Sequence, residues 1–262
     1  MSGTDWAPSQ YERFRAERAQ PFADLLELVV RWPGMRVVDL GCGTGELTAR
    51  LHRELGATFT LGLDNAPAML ARSAAHADAG LRFALGDLAD FQGHEDWDLV
   101  FSSAAFQWVP DHPGLLARLV AALAPGGQLA FQVPANFDAA SHRVAEELAA
   151  EPPFAEALEQ APPPPAILAP EEYARLLYEL GCAEQHVRLQ VYPHVLPSRE
   201  AVVEWVKGTL LGRFRGALEP DVYQLFEARY RHRLLARLPD QRPFFFPFKR
   251  LLAWGRRARF AA

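Results

Sequence analysis

Between Arg36 and about Pro134, short apolar runs rich in β-branched residues alternate with segments whose apolar positions recur every three or four residues. The runs Arg36–Leu40, Thr58–Asp64, Leu81–Leu85, Asp98–Ser102 and Gln128–Val133 read as strands, since short apolar stretches bounded by turn residues suit a sheet covered on both faces. Glu46–Leu55, Ala66–Ala77 and Pro113–Leu123 read as helices packed on it. Each strand–helix unit takes roughly 20 to 30 residues, the length of a right-handed crossover. The pattern predicts a doubly wound, Rossmann-like α/β domain with a mostly parallel sheet.

The character changes over Ala149–Pro170, where Pro152–Pro153 and Pro162–Pro165 forbid regular helix or a central strand and predict a stiff surface connection. Beyond it the spacing predicts a helix over Pro170–Leu180 closed by Gly181, a strand over Ala183–Leu196, and helices over Arg199–Thr209 and Asp221–Leu238. The chain thus reads as a helical cap (1–35), a core (36–134), a Pro-rich helical insertion (135–170) and a region (171–262) that completes the sheet. Within that last region, helices at about 199–242 are expected to form a lid over the sheet's carboxyl edge. The closing segment carries Lys249, Arg250, Arg256, Arg257 and Arg259 beside Trp254 and Phe260. It reads either as an RNA-binding edge or as a last strand whose charges block edge pairing.

Charge weighs against the first of these. The 27 Lys and Arg face 32 Asp and Glu, a net charge of −5, which argues against a nucleic-acid or membrane-surface binder. Only Lys207 and Lys249 are lysine, so a single arginine carries little information here. Cys42 and Cys182 lie far apart and outside any metal-ligand spacing, so neither a disulfide framework nor a metal site is expected. Met1–Pro21 has no apolar segment of the signal-peptide kind, and no window is apolar enough to span a bilayer, so a cytoplasmic location is expected.

The segment with most chemical content is Val37-Val38-Asp39-Leu40-Gly41-Cys42-Gly43-Thr44-Gly45. It sets a glycine-rich turn between the first strand and the first helix, where backbone amides can approach a ligand closely. The spacing is G-x-G-x-G rather than the dinucleotide G-x-G-x-x-G, and Asp39 places a carboxylate where a pyrophosphate would be repelled, so a cationic ligand is favoured. Asp64 ends the second strand, where a carboxylate can accept from both hydroxyls of a ribose. Asp87 and Leu88 follow the third strand, placed to accept from an adenine amino group and to pack on its ring. Cys42 reads as a small filler rather than a reactive thiol.

These landmarks, in this order and with the strand Trp97-Asp98-Leu99-Val100-Phe101, resemble the class I S-adenosylmethionine-dependent methyltransferases. The resemblance implies a seven-stranded sheet and S-adenosyl-L-methionine as cofactor. It would be held by Asp39, Gly41, Cys42, Gly43, Gly45, Asp64, Asn65, Met69, Asp87, Leu88, Ser103, Gln107 and Trp108.

Three further segments are similar to the trans-aconitate methyltransferase family: Trp6-Ala7-Pro8-Ser9-Gln10-Tyr11 with Arg18, Phe106-Gln107-Trp108-Val109-Pro110-Asp111-His112, and Val191-Tyr192-Pro193-His194 with Glu204-Trp205-Val206. That similarity implies a small polycarboxylic acid as acceptor, with Tyr11, Arg18, Tyr192, His194, Tyr230 and Arg250 as candidate ligands. A carboxylate is already ionised at neutral pH, so no catalytic base is expected. The bland readings stand beside these: a solvated helix arginine for Arg18, a strand-surface histidine for His194, packed rings with wet hydroxyls for Tyr192 and Tyr230, and core positions for Trp108 and Trp205. Another small acceptor, a carrier-bound carboxyl group and a non-catalytic cofactor- or RNA-binding role also stay open, and nothing fixes the oligomeric state, a monomer included.

Overall fold

The computed structural model describes residues 15–159, 161 and 167–259, with side chains from Ala19 onward. In chain order the elements are α1 (Arg15–Leu26), β1 (Arg36–Leu40), α2 (Glu46–Leu55), β2 (Phe59–Asp64), α3 (Pro67–Ser73), β3 (Leu81–Leu85), β4 (Trp97–Ser103), α4 (His112–Ala121) and β5 (Leu123–Pro134). There follow α5 (Ala140–Ala149), α6 (Phe154–Ala157), α7 (Pro170–Glu179), β6 (Cys182–Leu196), α8 (Glu200–Lys207), α9 (Leu210–Ala217), α10 (Pro220–Arg237) and β7 (Phe244–Arg257). Seven strands form one sheet in the order β3-β2-β1-β4-β5-β7-β6. The pairs from β3 through β5 are parallel, and β7 runs antiparallel to β5.

Among the described residues the chain forms two compact units. One draws on residues 16–135, 167–190 and 250–259, the other on 136–159, 161 and 191–249. In the first unit, successive strand residues point to opposite faces and supply two cores. Val38, Leu40, Val100, Leu129 and Phe131 pack with Leu115, Leu116, Leu119 and Tyr173, while Val37, Leu99, Phe101, Ala130 and Trp254 pack with Phe22, Leu25, Leu51 and Leu55. The second unit has its own core of Phe154, Trp205, Phe214, Phe226, Tyr230 and Phe248.

Helix α2 starts and stops where its sequence dictates, with Gly45 and Gly56 in the left-handed region at its two ends. Helix α4 begins at Asp111, whose carboxylate accepts from the Gly114 amide at 3.0 Å, with Pro113 in the first turn. The expected helix over Ala66–Ala77 is α3 continued by one 3₁₀ turn, Ala74–His76.

Two expectations are corrected. The basic tail is a strand, but β7 lies between β5 and β6, so its charges guard no sheet edge. They bind other parts of the chain: Arg256 Nε donates to the Gly126 carbonyl at 3.1 Å, Arg257 pairs with Glu95 at 2.7 Å, and Lys249 pairs with Asp138 at 2.6 Å, the last two at the surface. The connection after Ala149 is more than a surface strap, since Phe154 is fully buried and meets Phe226 edge-on at 5.0 Å. Helices α5 and α9 fall inside the two regions expected to be helical, 135–170 and about 199–242. Pro162–Pro165 lie outside the described residues.

Candidate cofactor and acceptor sites

The glycine loop joins the carboxyl ends of β1 and β2. The Gly41 and Cys42 amides both donate to the Leu63 carbonyl, at 2.8 and 3.0 Å, and the Gly43 amide donates to Asp64 Oδ2 at 2.8 Å. The loop needs glycine for two separate reasons. Gly41, Gly43 and Gly45 all have positive φ, at 81°, 57° and 77°. A Cβ on Gly41 would fall 2.3 Å from the Ala105 Cβ, and one on Gly45 would fall 2.7 Å from Ser73 and 2.8 Å from Phe83. On Gly43 it would meet only the Met69 methyl, at an ordinary contact distance of 3.6 Å, so this middle glycine is not required by crowding.

Asp39 is buried at the end of this cradle and accepts from the Thr48 hydroxyl at 2.6 Å. Burial pushes its carboxyl up to about 7, against the Thr48 bond and with a further push from the Asp64 charge. Burial likewise raises Asp64, opposed by the hydrogen bonds from Ala66 and Gly43. Cys42 is a free, buried thiol whose ionisation burial pushes far up, in keeping with a filler.

Asp87 Oδ1 accepts from the Ala89 amide at 2.8 Å and caps a 3₁₀ turn, while Oδ2 accepts from Asn65 Nδ2 at 3.1 Å. Leu88 belongs mainly to the core with Phe91 and Trp97. Beyond β4, Ala104 takes a left-handed φ of 61°, and Gln107 Nε2 donates to its carbonyl at 2.6 Å. Gln107 Oε1 is buried and has no hydrogen-bond partner among the described residues. Trp108 is 43% exposed, so its core reading is wrong, whereas Trp205 is buried as read.

This set suits S-adenosylmethionine. Asp39 makes no ion pair with any described residue, an acidic pocket that a cationic ligand would neutralise. Gln107 Oε1 lacks a donor among the described residues, and a side chain on Gly43 would meet only the Met69 methyl. No group of three or more His, Cys, Asp or Glu among the described residues could hold a metal.

The acceptor candidates divide between the two units. In the first, Arg250 is 6% exposed and its Nη1 donates to Gln132 Oε1 at 2.8 Å. In the second, Tyr192 is buried and its ring lies 6.3 Å from His194, which in turn sits 4.9 Å from Trp205. Tyr230 is fully buried and its hydroxyl donates to the Ser141 carbonyl at 3.1 Å, so that hydroxyl is not wet. Tyr11 and the Arg18 side chain lie outside the described residues. Sequence reasoning missed Thr48 and Gln132. A polar residue inside an apolar strand, as in Leu129-Ala130-Phe131-Gln132-Val133, is the signal that points to the second.

Comparison with known proteins decides the family. The family described as "Methyltransferase domain" matches residues 37–127. A trans-aconitate 2-methyltransferase of Deinococcus radiodurans is 43% identical over 255 residues, covering 94% of this chain and 96% of the relative. One of Methylobacterium nodulans is 40% identical, covering 97% and 99%. The chain belongs to the trans-aconitate 2-methyltransferase family. Solved structures agree on the fold: the YcgJ protein of Bacillus subtilis matches with a TM-score of 0.59 at 13% identity, covering 92% of this chain and 99% of that one. Phosphoethanolamine N-methyltransferase 2 of Haemonchus contortus, in complex with S-adenosyl-L-methionine, matches with a TM-score of 0.56 at 18% identity, covering 92% and 52%. The family assignment gives the glycine loop and Asp39 a chemical context that their geometry alone leaves general.

Proposed function

We propose that this chain transfers the methyl group of S-adenosylmethionine to a carboxylate oxygen of trans-aconitate, forming a methyl ester. The observation that carries the reading is the 43% identity to a trans-aconitate 2-methyltransferase over 94% of the chain. S-adenosylmethionine, when bound, supplies a methyl group on a positively charged sulfur. The sulfur–methyl bond breaks as the oxygen–methyl bond forms, and the charges of sulfonium and carboxylate cancel without any proton being moved. A general base is therefore unnecessary, and the residues act by binding, orienting and excluding water.

In this reading Asp39 and the Gly41–Gly45 loop receive the cationic methionine end, Asp64 the ribose, and Asp87 with Asn65 and Leu88 the adenine. Met69, Ser103, Gln107 and Trp108 complete the cofactor contacts. Arg250 and Arg18 are the proposed acceptor ligands of the first unit, an arginine fork being suited to a carboxylate, and Tyr192 and His194 are separate candidates of the second. Tyr11 belongs to the same proposal, while Tyr230 serves as packing because its hydroxyl is committed to Ser141. A small acid rather than a nucleic acid as partner is supported by the net charge of −5 and by the internal pairing of the tail. No described helix is long and apolar enough to cross a membrane, and two buried free thiols support a cytoplasmic, reducing compartment.

The test is incubation of the purified chain with methyl-labelled S-adenosylmethionine and a panel of polycarboxylates, followed by mild alkali. Label released as methanol from trans-aconitate is the expected result. Label on another acid, or on a carrier protein, would replace the acceptor and keep the reaction class. Tight cofactor binding with no turnover on any acid would overturn the enzymatic reading.

A further inference from the structure

Gln128 and Gln132 lie four residues apart on β5, both buried and both on the sheet face that carries Leu99, Phe101, Ala130 and Trp254. Their environments differ. Gln128 Oε1 accepts from the Val30 amide and from Trp254 Nε1, each at 2.8 Å, and its Nε2 donates to the Val30 carbonyl at 2.8 Å. It pins the segment after α1 to the sheet and is fully explained by structure.

Gln132 joins two polar side chains instead. Its Oε1 accepts from Arg250 Nη1 at 2.8 Å, and its Nε2 donates to Ser103 Oγ at 2.8 Å. In register, Ser103 stands directly across from Gln132 on β4, and Arg250 stands opposite Pro134 on β7. The three side chains make a row over adjacent strands at the carboxyl ends of β4 and β5, where open α/β sheets collect their ligands. Ser103 is followed at once by left-handed Ala104, whose carbonyl holds Gln107.

The direction of each bond is fixed by chemistry. Guanidinium can only donate, so the amide must turn its oxygen to Arg250 and its NH₂ to Ser103. Ser103 Oγ then accepts from Gln132, and its own proton is directed elsewhere. A row so wired orients the guanidinium, whose N–H groups are the complement of a carboxylate.

Resting on the trans-aconitate reading, we propose that Gln132 is a positioning residue for the acceptor. Anchored through its NH₂ on Ser103, it holds the Arg250 guanidinium to receive a carboxylate of the acid other than the one methylated. The row then favours acids with a further carboxylate over simpler ones, and the amide sets the geometry without touching the reacting atoms.

The experiment uses the full chain carrying Gln132→Met or Gln132→Glu, with cofactor affinity measured by calorimetry and KM and kcat measured on trans-aconitate and on the dicarboxylate itaconate. KM for trans-aconitate should rise about tenfold or more, since a charge-assisted contact is misdirected in the Met variant and captured internally in the Glu variant. The preference over itaconate should shrink in step, with kcat changing much less and cofactor affinity within about twofold. Arg250→Lys keeps the charge but loses the planar fork, and should give a similar KM rise that does not multiply with Gln132→Met in the double variant. Unchanged KM and preference in Gln132 variants that still bind cofactor would overturn the proposal. Should those variants lose cofactor binding, an unchanged KM in Arg250→Lys overturns it equally. A wild-type chain inactive on trans-aconitate sinks the proposed function instead, so the two failures are distinct.

Discussion

The Thr48 hydroxyl donates to Asp39 Oδ2 at 2.6 Å across the start of helix α2, and this bond works against the burial that pushes the Asp39 carboxyl up to about 7. A cation bound beside Asp39 favours the ionised form, so binding of S-adenosylmethionine near neutral pH should expel a proton. Affinity should therefore climb as pH rises from about 5 to about 7, by at most ~tenfold per pH unit, and level off above that. Calorimetry in buffers of different ionisation heat reads the released proton directly. Asp39→Asn should flatten both dependences, and equal affinity at acid and neutral pH in the wild type would sink this account of Asp39.

The glycine loop predicts an order of damage. Gly41→Ala forces its Cβ to 2.3 Å from Ala105 at a φ of 81°, while Gly43→Ala meets nothing nearer than the Met69 methyl at 3.6 Å. The first should lower the melting temperature of the cofactor-free chain by the equivalent of ~2 kcal/mol or more, combining overpacking with left-handed strain. The second should cost about 1 kcal/mol of fold and act mainly on cofactor affinity. Similar melting temperatures for the two variants would contradict the geometry.

Phe154 offers a test of how the Pro-rich stretch is anchored. Its ring is fully buried edge-on to Phe226, which stacks on Phe214 at 4.5 Å. Phe154→Ala should destabilise by ~3 to 5 kcal/mol, as for other large core aromatics. A surface strap would show no such loss in a urea titration.

Strand and glycine positions are legible in the sequence because each rests on a local rule: Gly41, Gly43 and Gly45 are written into the residues between a strand and a helix, and α2 is bounded by glycines. The bounds of helix α9 are not legible within the expected helical region, since Gly212, Gly216, Arg213 and Arg215 dilute its apolar spacing, and it takes its form from packing around Phe214. The place of β7 is a long-range fact: nothing in Phe244–Arg257 shows that the chain will insert it between β5 and β6. Gln132 stands out as a polar residue in an apolar strand, but its role is long-range in the same way, because its two partners lie 29 and 118 residues away.

The cofactor-free fold should respond to pH through two buried groups of opposite sign. The raised Asp39 carboxyl stays protonated in the fold while its unfolded counterpart ionises near pH ~4, so stability present below that value drains away until about pH 7, by ~4 kcal/mol at most. His112 works the other way. Its Nε2 donates to the Phe106 carbonyl at 3.0 Å, so Nδ1 must accept from the Tyr173 hydroxyl, and the ring is held neutral. Burial lowers its titration, so its contribution is present at higher pH and is lost as pH falls through and below the unfolded value near ~6.5. Urea titrations at pH ~4 and ~8 should then separate the two. Asp39→Asn gains stability over wild type at the higher pH and little at the lower, whereas Tyr173→Phe, which strips Nδ1 of its donor, loses ~1 to 3 kcal/mol at pH ~8. An Asn variant with the same advantage at both pH values would show that the Asp39 carboxyl titrates normally in the fold.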